Sequence, residues 1–456
     1  MKRFKYTYIA FFRIMSFLLS FLSFIGILST HFEILRYAGS PLAITVIAFS
    51  VVYYLMCRVY GGFDISTKKS KPIIYSYIVN LLVTDVFAHL ILCILDSTIT
   101  GNGHFSYEVP LLLLVVYFVQ ILLIICLTYL GNGIYFRFNK PARCLVIKQS
   151  GNDEKVMVKK VSRMKRQFRI EWICDRNDPD VFKLIDEADA VFLYNLPVAE
   201  RAEFVEYCYR KPKEIYYSVE MADMVSMGSE RVLFDDMTMM HYRVKEPSFE
   251  RRLIKRAMDI AVSLVGLVVA SPFMLITALA IKLEDKGPVF YRQPRVTYKG
   301  RIFNVLKFRS MRVEDGSIHR SVTKNDDRIT KVGHVIRKFR IDELPQLINI
   351  LNGDMSLVGP RPEMVENVEK YTKMLPEFAY RQRVKAGLTG MAQIYGKYNT
   401  SPADKLALDL VYIENFSLIL DIKLILRTVM VLLTPEESTE EFDSTEKEED
   451  KEAQRV

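Results

Sequence analysis

Apolar residues in this chain gather first into long runs and only later into shorter periodic stretches. Four runs, at 7–29, 41–59, 73–95 and 110–135, each reach the roughly 20 residues that a helix needs to cross a hydrocarbon core. The pattern predicts four transmembrane helices within residues 1–136. A secretory signal peptide does not fit, because the first run is long, lacks a small-residue cleavage site and is followed by three more. The polar positions between runs set the orientation. Lys2, Arg3 and Lys5 precede the first run, and Arg58, Lys68, Lys69 and Lys71 follow the second. Arg137, Lys140, Arg143 and Lys148 follow the fourth, whereas 97–109 holds no Lys or Arg. Basic flanks stay in the cytoplasm, so the N-terminus and everything after 136 are expected there. Within the runs, Asp85 and His89 stand four apart, a spacing open to a proton relay or to a pair facing a neighbouring helix.

From 141 to 245 the pattern shortens. Cys144–Ile147 and Ala188–Tyr194 read as strands, with Glu214–Ser218 as a third, and helical stretches lie between them. Alternating strands and helices imply a parallel sheet. The turn after the first strand, Lys148-Gln-Ser-Gly-Asn-Asp153, has one glycine where a dinucleotide fingerprint needs three, so the domain reads as a degenerate Rossmann-like α/β unit. A fifth apolar run covers 260–281 but has basic residues on both sides, Arg251, Arg252, Lys255 and Arg256 before it and Lys282, Lys286, Arg292 and Arg295 after it. A segment that enters and leaves by one face carries such flanks. The expectation is a re-entrant helix at 257–282, broken at Ser271 and Pro272, against the alternative of a kinked spanning helix. Proline lacks the N–H for the carbonyl four residues back, and a serine hydroxyl can satisfy that carbonyl. Residues 416–433 form one more helix. The predicted fold is therefore a mixed membrane protein: an N-terminal four-helix transmembrane bundle, the α/β domain, and a mostly α domain over 250–433 that carries the re-entrant helix.

Composition sharpens this picture in two places. Of the 456 residues half are hydrophobic and the formal charge is +9, but 435–456 holds ten acidic and three basic residues. That tail reads as disordered, and at −7 it leaves +16 on the rest of the chain, which favours anionic lipid, phosphate or nucleotide partners. Six scattered cysteines, with no CxxC, fit a reduced compartment and supply no metal site. The basic C-terminal domain holds the candidate chemistry. Asp342 and Glu343 are adjacent, about 100° apart if on an α-helix, so one can meet a substrate atom while the other holds a metal or accepts a proton. Arg337, Lys338 and Arg340 surround them, which suits diphosphate oxygens. Gly359-Pro-Arg361-Pro is a rigid loop around one arginine, useful as a phosphate clamp or as a plain turn.

Taken in order, Lys255-Arg256…Asp259, Ser271-Pro272, Lys307-Phe-Arg309-Ser-Met, Asp342-Glu343-Leu-Pro-Gln-Leu, Gly353-Asp-Met-Ser-Leu-Val-Gly-Pro-Arg-Pro and Thr389-Gly390…Gln393 resemble the bacterial sugar transferase family. These are the monotopic polyprenol-phosphate phosphoglycosyl transferases. The four upstream helices and the α/β domain resemble its large subgroup, which starts capsule, exopolysaccharide or O-antigen synthesis. The resemblance implies a phosphotransferase of the bacterial inner (cytoplasmic) membrane. It would move a sugar 1-phosphate from a UDP-sugar to undecaprenyl phosphate and release UMP. Asp342 would be the nucleophile, and Glu343 a metal ligand and candidate base, with Asp342 also near the Mg²⁺. Arg337 and Arg361 match phosphate-binding positions, and Lys307, Arg309, Thr389 and Lys397 are further substrate-binding candidates. Two positions depart from the family pattern: Ala386 stands where proline is usual, and Lys397 where arginine is usual. Lysine keeps the charge but loses the bidentate fork.

Nothing in the sequence suggests nucleic acid as a partner, and the helices and α/β domain offer surface for a homodimer. A non-catalytic membrane regulator of polysaccharide export, with the α/β domain as sensor, is the competing class. A nucleotide-sugar transporter would want polar groups spread through the helices, and these are scarce. The residues do not disclose which sugar is carried.

Overall fold

A computed structural model describes residues 2–65, 69–100, 108–149, 155–243, 248–312, 328–396 and 400–433; the acidic tail at 435–456 lies outside them. The chain divides into two compact units, Met1–Ser218 and Val219–Val456. The first opens with helices α1 (Lys2–Leu28), α2 (Ser40–Tyr60), α3 (Ser70–Thr100) and α4 (Glu108–Phe138). Phe24, Phe49, Tyr53, Tyr77, Leu81 and Leu92 are buried among them. The outward faces are equally apolar: Leu22, Ile47, Ile94, Leu111, Phe118 and Leu122 are between 61 % and 68 % exposed. Apolar surface on both sides of a helix is tolerated only where lipid replaces water. All four helices are long and apolar enough to cross a membrane.

Polar groups inside this assembly bond to one another. The hydroxyls of Tyr53 and Tyr77 each donate to Ser16 Oγ at 3.0 Å. Gln120 Nε2 donates to Asp85 Oδ1 at 3.1 Å and to the carbonyl of Ser20 at 3.0 Å. His89 lies 3.3 Å from Cys93 Sγ instead, so no Asp85–His89 bond forms among the described residues.

The same unit continues through β1 (Ala142–Lys148), α5 (Lys155–Ser162), β2 (Phe168–Asp175), α6 (Val181–Glu187), β3 (Ala190–Tyr194), α7 (Val198–Arg210) and β4 (Glu214–Tyr217). The four strands form a parallel sheet in the order β2-β1-β3-β4. Cys144–Ile147 is fully buried at its centre. The apolar-run pattern finds β1, β3 and β4 but passes over β2, because an edge strand alternates charge with bulk, as in Arg169-Ile-Glu171-Trp.

The second unit begins at Val219, earlier than the change in pattern near 245 suggests. Helix α8 (Met221–Gly228) is followed by a hairpin of β5 (Glu230–Phe234) and β6 (Met237–His241). Met224 enters the core of this unit beside Phe303, Leu347 and Leu410, and the Tyr242 hydroxyl donates to Glu414 Oε1 at 2.8 Å.

Helix α9 (Phe249–Asp285) then runs 37 residues without ending at Pro272. The carbonyl that Pro272 cannot satisfy belongs to Val268, and Ser271 Oγ donates to it at 2.8 Å. One face of α9 is fastened to the rest of the unit. Lys255 Nζ donates to Asp421 Oδ2 at 2.6 Å and to the carbonyl of Val358 at 3.1 Å. The Arg256 guanidinium meets the carbonyls of Ile350 and Leu351 at 2.5 and 2.6 Å, capping a helix that ends there. Asp259 Oδ1 accepts from Ser356 Oγ and from the backbone N–H of Leu357. Near the other end, Glu284 accepts from the N–H groups of Lys331 and Val332, the first turn of the helix that starts there. The opposite face is bare: Val265, Val268, Val269, Phe273, Leu275 and Ile276 are between 59 % and 68 % exposed.

After α9 come the antiparallel pair β7 (Phe290–Val296) and β8 (Ile302–Phe308), α10 (Lys331–Lys338), α11 (Gln346–Asn352), β9 (Ser356–Val358), α12 (Val365–Met374), β10 (Gly387–Thr389), α13 (Met391–Tyr395), α14 (Pro402–Glu414) and α15 (Leu418–Leu433). β9 and β10 pair in parallel. Leu347, Ile350, Leu357, Phe378 and Tyr412 form the core beneath them.

The Asp259 contact makes a stability prediction. In Asp259→Ala the Leu357 N–H and the Ser356 hydroxyl lose their acceptor inside a buried seam, at about 1–3 kcal/mol for each donor left unsatisfied. The thermal midpoint of the detergent-solubilised protein should fall by several degrees. An unchanged midpoint would show that this seam does not hold α9.

Candidate active site

Asp342 and Glu343 sit on a single 3₁₀ turn, Ile341–Glu343, rather than an α-helix, so they point about 120° apart. Arg340, just before the turn, has φ 54°, a left-handed conformation that a side-chain-bearing residue rarely adopts. That reversal ends the run from α10 and turns both carboxylates toward β8 and the loop after β9. Glu343 is gripped there: Lys307 Nζ lies 3.3 Å from Oε1, Arg361 Nη2 2.9 Å from the same oxygen, and Arg340 Nη1 3.9 Å from Oε2. Asp342 makes no hydrogen bond or ion pair among the described residues, and Arg337 stands close enough to act on it through charge.

These surroundings drive the two carboxyls apart. Burial and then the charge of Glu343 push Asp342 up to about 6, with Lys307, Arg337 and Arg361 pulling the other way. Burial also opposes ionisation of Glu343, but Arg361, Lys307 and Arg340 outweigh it and hold that carboxyl well below the usual range. Burial in turn lowers Lys307, against the pull of Glu343. A carboxylate held so firmly as an anion is a weak base, which leaves Glu343 suited to anchoring charge and Asp342 to attack.

The structure thus joins Lys307, Arg337 and Arg361 to the carboxylate pair. Arg309 goes elsewhere: it is buried against Gly287 beyond the end of α9. Thr389 Oγ1 lies 2.6 Å from Thr428 Oγ1, and its carbonyl accepts from the Gly359 N–H, so its contacts support the loop rather than reach the carboxylates. Lys397 lies outside the described residues. At Ala386, the departure from the family's proline, the N–H donates to Thr297 Oγ1 at 3.1 Å, a bond a proline could not make. Arg295 is the cation that sequence reasoning did not single out. With Lys307, Arg361, Gln346 and Gly387 it lines a small pocket. It stands in a Tyr-Arg-Gln-Pro-Arg string whose alternation along β7 was the available signal.

Among the described residues no group of three or more His, Cys, Asp or Glu side chains could form a complete metal cage. Mg²⁺ does not require one: it keeps waters and takes one or two carboxylates plus substrate phosphates. Two adjacent carboxylates, one of them uncommitted, fit that donor set.

Carbodiimide, which modifies protonated carboxyls, should label Asp342 in metal-free protein with a midpoint near pH 6, read by peptide mass mapping. In Glu343→Gln the midpoint should move down, because the neighbouring negative charge is removed while the cations stay. An upward shift would contradict the charge coupling described here.

The model of the family described as bacterial sugar transferase matches residues 250–435. A UDP-glucose:undecaprenyl-phosphate glucose-1-phosphate transferase of Caulobacter vibrioides is 43% identical over 188 residues, 40% of this chain and 70% of that protein. A UDP-N-acetylgalactosamine-undecaprenyl-phosphate N-acetylgalactosaminephosphotransferase of Aeromonas hydrophila is 44% identical over 193 residues, 41% of this chain and 45% of its own length. An undecaprenyl-phosphate glucose phosphotransferase of Komagataeibacter xylinus is 34% identical over 314 residues, covering 63% of this chain and 58% of that one. The matches to the last two thus span about half the length of those relatives. With the family's model matching 250–435 and the Caulobacter protein matched over most of its length, the chain belongs to the bacterial sugar transferase family.

Proposed function

We propose that this protein transfers a sugar 1-phosphate from a UDP-sugar to undecaprenyl phosphate and releases UMP, by a ping-pong reaction through a phosphosugar on Asp342. This would start a capsule, exopolysaccharide or O-antigen chain at the cytoplasmic face of the inner membrane. Relatives named for this transfer support the substrate classes. The observation that carries the reading is the division of labour in the carboxylate pair: Glu343 is tied to three cations and Asp342 to none.

In the first step an Asp342 oxygen attacks the sugar-bearing phosphorus. The bond to the bridging oxygen breaks, and that oxygen leaves on UMP. In the second step an oxygen of undecaprenyl phosphate attacks the same phosphorus, and the Asp342 carboxylate is regenerated. Arg361, Lys307 and Arg337 hold diphosphate oxygens in line and neutralise the charge that gathers on them. Mg²⁺, held by Glu343 and Asp342, would supply further charge neutralisation on the diphosphate.

Delivery of the lipid follows from α9. Its bare face suits lipid, and its fastened face ties residues 255–259 and 284 to one and the same unit. Attachment at both ends supports a re-entrant segment that dips into the bilayer and returns, with the Ser271–Pro272 pair as the place where it bends. The bare apolar positions Ile419, Ile422 and Val429 of α15 would lie along the same surface.

Two experiments test this. Enzyme, UDP-sugar and Mg²⁺ without lipid should release about one UMP per site, and the intact mass should rise by the sugar-phosphate increment on the peptide holding Asp342. Asp342→Asn should lose both signals, and chelation of Mg²⁺ should suppress them. Parallel initial-rate lines are expected; intersecting lines with no adduct would reduce Asp342 to a ligand. For topology, single cysteines near 250 and 300 should share one labelling pattern toward an impermeant thiol reagent on intact cells. Labelling of just one would mean a spanning α9.

A further inference from the structure

The loop Gly359–Glu363 has no secondary structure of its own, yet each of its five residues is tied to something outside it. The Gly359 N–H donates to the Thr389 carbonyl, and the Pro360 carbonyl accepts from the Gly387 N–H. The Glu363 carbonyl accepts from the Val296 N–H. Between them, two consecutive carbonyls are held by arginine side chains: that of Arg361 by Arg381 Nη2 and that of Pro362 by Arg295 Nη1, each at 3.0 Å. The close approach at the loop's start needs glycine, since a Cβ on Gly359 would clash with the backbone carbonyl oxygen of Lys385.

Arg381 is held more firmly than anything it holds. It is 5 % exposed, and its Nε and Nη2 reach Asp409 Oδ2 at 3.0 and 2.7 Å. Its Nη1 lies 3.7 Å from Glu363 Oε1, and the guanidinium carbon stands 4.7 Å from the centre of the buried Phe378 ring. Asp409, on α14, is 1 % exposed. An ion pair this deep adds little net stability, because desolvation of both charges offsets their attraction. Its geometry is more telling: a rigid fork, fixed by Asp409 and stacked on Phe378, sets the position of the Arg361 backbone.

We propose that Arg381, with Asp409 behind it, is a positioning residue that presets Arg361 against Glu343 and the diphosphate. This rests on the transferase reading above. Arg361 is an arginine on a loop, and its reach to Glu343 Oε1 is a single 2.9 Å contact. A displacement of about 1 Å at its backbone would spoil alignment with a phosphoryl group, an error that can cost on the order of a hundredfold in rate. Lysine at 381 keeps the charge but cannot bond Asp409 and the carbonyl together with one planar group.

The test is a double-mutant cycle on the full-length protein, reading initial rates of UMP release over a range of UDP-sugar concentrations, with enough enzyme that slow variants stay measurable. Arg381→Lys should lower kcat by about tenfold or more, with a smaller change in KM for the UDP-sugar. In an Arg361→Ala background the same substitution should make less than about a twofold difference, because its route of action is gone. Equal fold losses in both backgrounds would overturn the proposal, as would an unchanged kcat in a folded Arg381→Lys protein. If Arg381→Lys does not fold, by thermal midpoint, Asp409→Asn takes its place. It keeps the volume, releases the guanidinium and should show the same dependence on Arg361. A wild-type protein that releases no UMP would sink the transferase reading and this inference with it. Wild-type release with additive losses would sink only the positioning role.

Discussion

Glu343 is a carboxylate at 13 % exposure, and the geometry of the site follows from the need to keep it charged there. Burial alone would protonate it. Three cations prevent this, and they come from three places: Lys307 from β8, Arg340 from just before the turn and Arg361 from the loop after β9. Meeting that requirement brings the strand, the turn and the loop together. It also explains the left-handed Arg340, since that reversal turns the carboxylate pair toward β8. Asp342 is left with the opposite environment: partly desolvated, beside a fixed negative charge and bonded to nothing among the described residues. Adjacent residues of nearly identical chemistry are thereby split into one held by three cations and one left unpaired among the described residues.

The loop that carries Arg361 shows where the stiffness comes from. Its backbone groups are claimed by β7, β10 and two arginines, so the Arg361 guanidinium hangs from a fixed backbone. Burying the Arg381–Asp409 pair is a poor way to gain stability and a good way to fix a geometry.

A second constraint is that the protein meets two solvents. Helices α1–α4 carry apolar residues on their outer faces and small clusters of polar groups within, which is stable only if hydrocarbon covers the outside. In α9 the two demands fall on opposite faces of one helix. Lys255, Arg256, Asp259 and Glu284 bond to the unit behind them, while valine, leucine and phenylalanine face outward. Those polar anchors sit inside a run of membrane-spanning length, and they hold it against the C-terminal unit at both ends.

The apolar runs, strands β1, β3 and β4 of the sheet, the fifth hydrophobic run with its Ser271–Pro272 pair and the adjacent Asp342–Glu343 carboxylates were all legible in the sequence. These are local properties: run length, a period of two or 3.6, or a motif at fixed spacing. The edge strand β2 was not legible, because its charged, alternating residues resemble a loop until β1 lies beside it. Nor was the true start of the second unit, since only α14 and its neighbours reveal that Met224 is core. The pairing of Glu343 with Lys307 and Arg361 spans 36 and 18 residues, and that of Arg381 with Asp409 spans 28. Arg309, a candidate equal to Lys307 in sequence, was sent to the end of α9 instead. Such pairings depend on which elements meet in space, and a charge's partner, and with it the carboxyl that is left unpaired, is decided by tertiary contact alone.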